Sequence, residues 1–275
     1  MAATTMHAAS RDALAAAEHR LDGVLGGADA SPATVGEELF AFTRLLRGEV
    51  ALRRAVADPA ASEDARKNLV RSLLGSQVGD ATLQVLDVVA SSRWSNPREL
   101  LDGVRALGAS AMLAAAERDG TLNSVEDELF GVARAVANNA ELDRALSDQS
   151  GSIAAKRELV RRIFGDRVNP VTLALIEQVA GDPKGRGVEK RLDELSELAA
   201  RRREQSVAHV ITASPLTDEQ RDALSAKLNR IYGKPITLHA EVKPDVLGGI
   251  VVKVGDEVID GSSAGRIMAL RGQLA

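Results

Sequence analysis

A repeat inside the first two hundred residues limits what this chain can fold into. Glu38-Leu39-Phe40 matches Glu128-Leu129-Phe130, and Leu52 with Arg54-Ala55 matches Leu142 with Arg144-Ala145. Leu69-Val70-Arg71 matches Leu159-Val160-Arg161, and every one of these pairs lies 90 positions apart. Gly75 and Gly165, Val78 and Val168, Thr82-Leu83 and Thr172-Leu173, and Val89-Ala90 and Val179-Ala180 hold the same spacing without a gap. Helical bias alone does not keep one register over this distance, so the segment is read as a duplication.

Helix start signals divide the duplicated region. Asn96-Pro97-Arg98-Glu99 combines an Asn cap, a Pro at the first helical position and a Glu at the third, and Asn169-Pro170 repeats the signal one copy later. Ser124 opens another helix, with a stripe of Val125, Leu129, Val132 and Val136. The spacing predicts helices near 10–25, 34–47, 49–57, 62–74, 80–91 and 97–119, then 124–137, 140–147, 152–163, 170–180 and 187–205. That is six followed by five. Asp102 and Val104 stand 90 positions after Asp12 and Leu14, so the helix from Pro97 is expected to close one bundle and open the next. The domain expectation is therefore a first bundle over 1–119, a second over 97–205 sharing helix 97–119, and a C-terminal domain over 206–275.

Aromatics are 2% of the chain against 45% apolar residues, so the cores must be aliphatic, a palette that suits helix bundles. A net charge of −4, with one Trp and one Tyr, offers neither a basic field nor stacking platforms for nucleic acid. There is no cysteine, which excludes disulfides and thiolate chemistry. The N-terminus lacks a signal-peptide core, and the longest run without an Asp, Glu, Lys, Arg or His, Ala106 to Ala116, is about half a membrane span.

After Val207 the period changes. Val207, His209 and Ile211 share one face of a strand, and Thr217-Asp218-Glu219-Gln220 is a capping box for a helix to about Tyr232 with Leu224 and Leu228 inside. Ile236, Leu238, Ala240 and Val242 alternate in a second strand. Ile250, Val252 and Val254 belong to a hairpin that turns at Gly255-Asp256 and returns through Glu257-Val258-Ile259. Asp260-Gly261-Ser262-Ser263 ends it, before a helix carrying Ile267, Leu270 and Leu274. The order β-α-β-β-β-α implies a small mixed sheet with helices on one face.

Candidate chemistry is thin. Gly181-Asp182-Pro183-Lys184-Gly185-Arg186-Gly187 lacks phosphate-loop spacing and sits between helices, so it reads as a connector. Asp256, Glu257 and Asp260 have no EF-hand spacing, the four histidines have no paired-ligand spacing, and no serine has a nucleophile elbow. Arg201-Arg202-Arg203 ends a helix, where cations complement exposed carbonyls, and Trp94 reads as a packing anchor. No catalytic residue, cofactor or metal is expected.

The segment from Leu247 to Arg271, LGGIVVKVGDEVIDGSSAGRIMALR, together with Pro215-Leu216-Thr217 upstream, closely resembles the C-terminal region of the ATP synthase delta subunit family, which includes the mitochondrial oligomycin-sensitivity-conferring protein. The resemblance marks Pro215, Gly248, Gly249, Gly255, Asp256, Asp260, Gly261, Ser262 and Arg266 as the family-motif and partner-docking region. It implies a mainly α protein: delta-type helical bundles of about eleven helices, two where one is usual, in an actinobacterial-like form, followed by the small α/β domain. The implied function is that of a non-catalytic stator subunit of the proton-translocating F-type ATP synthase. One copy would grip the N-terminal helices of the alpha subunits and the C-terminal region of the b subunit. It would lie peripherally on the cytoplasmic face of the cell membrane, without inserting into it. The family's usual first-helix Tyr-Ala-x-Ala-Leu element is expected at Arg11-Asp12-Ala13-Leu14, without its tyrosine. The alternative is a helical scaffold or adaptor unrelated to that enzyme.

Overall fold

The computed structural model describes residues 6–27, 30–148, 151–181, 187–205, 207–232, 236–243, 249–255 and 257–261. The chain divides into two compact units, Met1–Ala199 and Ala200–Ala275. The division falls inside the helix expected to end at 205, because Ala199 is the last residue of that helix in the aliphatic core.

In the first unit the helices are α1 (Ala8–Leu25), α2 (Pro32–Gly48), α3 (Val50–Val56), α4 (Glu63–Leu74), α5 (Asp80–Ser91), α6 (Pro97–Arg118), α7 (Leu122–Ala137), α8 (Ala140–Ser147), α9 (Ile153–Phe164) and α10 (Pro170–Ala180), with α11 (Val188–Gln205) following. Their ends follow from capping chemistry. The Ser31, Ser62 and Ser152 hydroxyls each accept the backbone N–H three residues on. Asn96 Oδ1 accepts the N–H groups of Arg98 and Glu99 at 3.0 and 2.9 Å, with Pro97 at the first helical position. One start differs from expectation. α7 begins at Leu122, two residues before Ser124, because Gly120, at φ 69°, turns the chain and Thr121 N–H bonds back to Ala116 O at 2.8 Å.

Two aliphatic cores result, and α6 contributes to both. Leu100, Val104, Leu107, Ala111 and Ala114 join α1 to α5 in the first core, whereas Ala109, Met112, Leu113, Ala115 and Ala116 join α7 to α11 in the second. The helix is unbroken at Gly108. That glycine permits close approach to α2: a Cβ at Gly108 would lie 2.6 Å from the Phe40 ring, and one at Gly36 would lie 2.7 Å from Met112 Sδ. Trp94 is buried, donates its indole N–H to Val89 O at 2.9 Å and fills the space a side chain at Gly103 would need.

The second unit holds β1 (Val207–Thr212), α12 (Asp218–Tyr232), β2 (Thr237–Val242), β3 (Ile250–Val254) and β4 (Glu257–Asp260). The sheet order is β2-β1-β3-β4, with β1 and β2 parallel and the other pairs antiparallel. Its core is Ala208, Val210, Leu228, Ile236, Val252 and Val254. The face of β1 that is buried is thus Ala208, Val210 and Thr212, while His209 on the other face is exposed. β2 is an edge strand, so Ala240 and Val242 are exposed and only the start of the expected alternation, at Ile236, is buried. The helix expected after Ser263, with Ile267, Leu270 and Leu274, lies outside the described residues.

Candidate partner-docking region

The family-motif residues that are described bracket β3. Gly249 has φ 87° and Gly255 φ 55°, left-handed values that a side chain would strain, so both glycines are required by backbone conformation at the ends of the strand. Gly261 N–H donates to Ile250 O at 2.9 Å, and a Cβ there would lie 3.1 Å from that oxygen, which closes the open end of the β3–β4 hairpin. Asp260 pairs with Val251 in the ladder and its strand is exposed. Pro215 is exposed on the approach to α12. The capping box next to it is formed: Gln220 N–H donates to Thr217 Oγ1 at 3.2 Å, and Thr217 N–H donates to Gln220 Oε1 at 3.0 Å. Gly248, Asp256, Ser262 and Arg266 lie outside the described residues.

Two pairings in this unit were not visible in the sequence. Tyr232 Oη donates to Glu257 Oε2 at 2.8 Å, and burial, with the adjacent carboxylate, pushes the phenol up to about 12. His209 and His239 face each other across β1 and β2 with ring centroids 5.8 Å apart, edge to face. Only strand register brings residues so far apart in the chain together. Among the described residues no cluster of three or more His, Cys, Asp or Glu is placed to hold a metal. Val242, Val258, Ile259 and Ile231 are exposed apolar residues of this unit.

In the helical unit, polar contacts repeat along with the apolar stripe. Glu38 accepts Gly79 N–H at 3.0 Å and the buried Thr82 hydroxyl. Ninety residues later Glu128 accepts Asn169 N–H at 2.8 Å and the buried Thr172 hydroxyl at 2.6 Å. Arg71 grips Asp87, and Arg161 grips Glu177, each through two nitrogens. These carboxylate bonds raise both guanidinium groups above their ordinary value. Buried cations recur too: Arg66 donates to the carbonyls of Ala90, Asp58 and Ser91, and Lys156 to Leu146 O at 2.7 Å.

The family model for the ATP synthase delta (OSCP) subunit matches residues 108–274. The chain belongs to the ATP synthase delta (OSCP) subunit family. The ATP synthase subunit delta of Nocardia farcinica is 45% identical over 98% of this chain and 100% of its own length. That of Streptomyces griseus is 45% identical over 95% of this chain and 97% of its own, and that of Corynebacterium diphtheriae 46% over 98% and 100%. The relatives are therefore matched along both bundles and the sheet. The delta subunit is a structural part of the ATP synthase and is not itself catalytic, which sets aside the unrelated-scaffold reading. The family match begins within α6 and runs through the second bundle into the C-terminal unit.

Proposed function

We propose that this delta-family subunit is the stator link of a proton-translocating F-type ATP synthase. It holds the catalytic head through the N-terminal helices of the alpha subunits, and it joins the peripheral stalk through the C-terminal region of the b subunit. The observation that carries this reading is the match to actinobacterial delta subunits along nearly the whole chain. Helical bundles suit such work, since an amphipathic partner helix is held by burying its i, i+3, i+4, i+7 face. No helix among the described residues is long and apolar enough to cross a membrane, consistent with attachment through partners on the cytoplasmic side. The two bundles are read as tandem copies over 1–119 and 97–205 sharing α6, with the motif residues around β3 forming part of the stalk-facing domain over 206–275 and one copy of the chain in each complex.

Depletion and re-addition of the subunit in membrane vesicles tests the reading. Proton-driven ATP synthesis is expected to disappear on depletion and return on re-addition, while the detached head keeps hydrolysing ATP. Unimpaired synthesis in depleted vesicles contradicts it.

A further inference from the structure

One face of α7 carries two residues whose presence the packing of the bundle does not explain. Phe130 is 56% exposed, whereas Phe40, Phe42, Phe164 and Trp94 are all buried. Gly131, next to it in the body of the helix, has no positive φ, and a Cβ there would meet nothing within 4 Å. Glycine inside a helix weakens it relative to alanine unless another group must come close. Away from the last turns, the other glycines of the described helices meet that condition. A Cβ at Gly36 would lie 2.7 Å from Met112 Sδ, one at Gly108 would lie 2.6 Å from the Phe40 ring, and one at Gly103 would run into Trp94. Internal packing of the repeat does not call for glycine at this place either, since Ala41 stands 90 positions before Gly131.

In the first copy the matching face is a contact face. Phe40 lies in the second aliphatic core, and Arg47 of the same helix donates to Gly181 O of the following bundle at 2.6 Å. In the second copy the face is open, and its charge limits what fits there. Arg134, one turn after Phe130, has its guanidinium 5.4 Å from the ring centroid and is held on α11 by Asp193 at 2.7 Å and Glu189 at 3.3 Å. Asp127, one turn before Phe130, is exposed. These three carboxylates outnumber the one guanidinium, which leaves the surroundings of Phe130 negative. An exposed aromatic ring beside a braced arginine is also the composition of an interface hot spot.

We propose that the Phe130–Gly131 face of α7 docks an amphipathic helix of a neighbouring subunit. The apolar side of that helix packs on Phe130, its backbone passes close to Gly131, and its Lys or Arg side chains meet Asp127, Glu189 and Asp193. This docking rests on the stator reading, which supplies the neighbouring subunits, and adds the face and the charge of the contact.

Membranes depleted of the subunit are the probe, with the full-length chain added back and its affinity measured by co-sedimentation. The parent is expected to rebind, and Phe130→Ala and Gly131→Leu to bind at least about tenfold more weakly. Melting of the free proteins shows that each variant is folded, and the open space at Gly131 accommodates leucine. Weaker binding by either folded variant supports the docking. Unchanged binding by both overturns it and leaves the stator reading intact, whereas failure of the parent to rebind removes that reading and the docking with it. Replacing Phe130 by the photo-crosslinker benzoylphenylalanine in the rebound chain identifies the neighbour. A crosslink to a helix of another subunit that bears Lys or Arg supports the docking; a crosslink to any other segment, to this chain or to a second copy of it, or no crosslink, overturns it.

Discussion

The two copies of the repeat agree inside each bundle and differ at their outer faces. Glu38 and Glu128 tie their helix to the start of α5 or α10 through the same pair of donors. Phe40 and Phe130 occupy equivalent positions with opposite fates. Phe40 is 4% exposed, lodged against Gly108, whereas Phe130 is 56% exposed under the Arg134 guanidinium, 5.4 Å from its centroid. Gly36 and Gly108, which allow the close crossing of α2 and α6, correspond to Glu126 and Leu198. A duplicated module thus retains the contacts that hold it together, and it is rebuilt where it meets either the next copy or solvent.

The largest expected contrast is at the aromatic pair. Phe40→Ala should lower unfolding free energy by about 3–4 kcal/mol and Phe130→Ala by under about 0.5 kcal/mol, read from urea denaturation. Equal losses would remove the distinction between a joined and an open face. Next come the shared carboxylates. Glu38→Ala and Glu128→Ala each strand a backbone N–H and a buried hydroxyl, so each should cost about 2 kcal/mol, agreeing within about 0.5 kcal/mol. A large cost in one copy alone would show that the repeated network is not equivalent.

A smaller contrast separates the first turns of α6 and α11. Burial alone would push the Glu99 carboxyl up. Hydrogen bonds from the side chains of Ser10, His7 and Asn96 and from the His7 backbone outweigh it and hold the group down to about 2. A depressed carboxylate stabilises the fold above its unfolded value near 4.5, and that contribution is lost as pH falls toward 2. Glu99→Gln should therefore cost about 1–2 kcal/mol at neutral pH, and the difference from the parent should shrink through the acid range. Its counterpart Glu189 makes an exposed contact of 3.3 Å with Arg134, and Glu189→Gln should cost under about 0.5 kcal/mol. Thermal melts from pH 2 to 7 compare them, and a pH-independent loss in Glu99→Gln would contradict the assignment.

Helix spacing and capping residues made most of the architecture legible. Asn96-Pro97, Asn169 and Thr217-x-x-Gln220 are local signals, and each cap is made by the side chain the sequence indicates. The start of α7 was misplaced because Ser124 resembles a cap, while the chain reverses earlier at Gly120. Which face of β1 turns inward depends on α12, and alternation alone cannot specify it. Left-handed Gly255 was legible as a turn glycine, whereas Gly249 was marked only by the family resemblance. The His209–His239 and Tyr232–Glu257 pairings were not legible, because strand register brings these residues together and no sequence period encodes that contact.

We propose that α6, whose residues enter both aliphatic cores, serves as the last helix of one bundle and the first of the next without interruption. Amide hydrogen exchange along Pro97–Arg118 in the full chain tests it most directly. Continuous protection through Gly108, with both ends exchanging as slowly as the cores they join, is the expected result. Rapid exchange confined to the residues around Gly108, between two slowly exchanging halves, would show two separate helices and contradict the shared-helix arrangement.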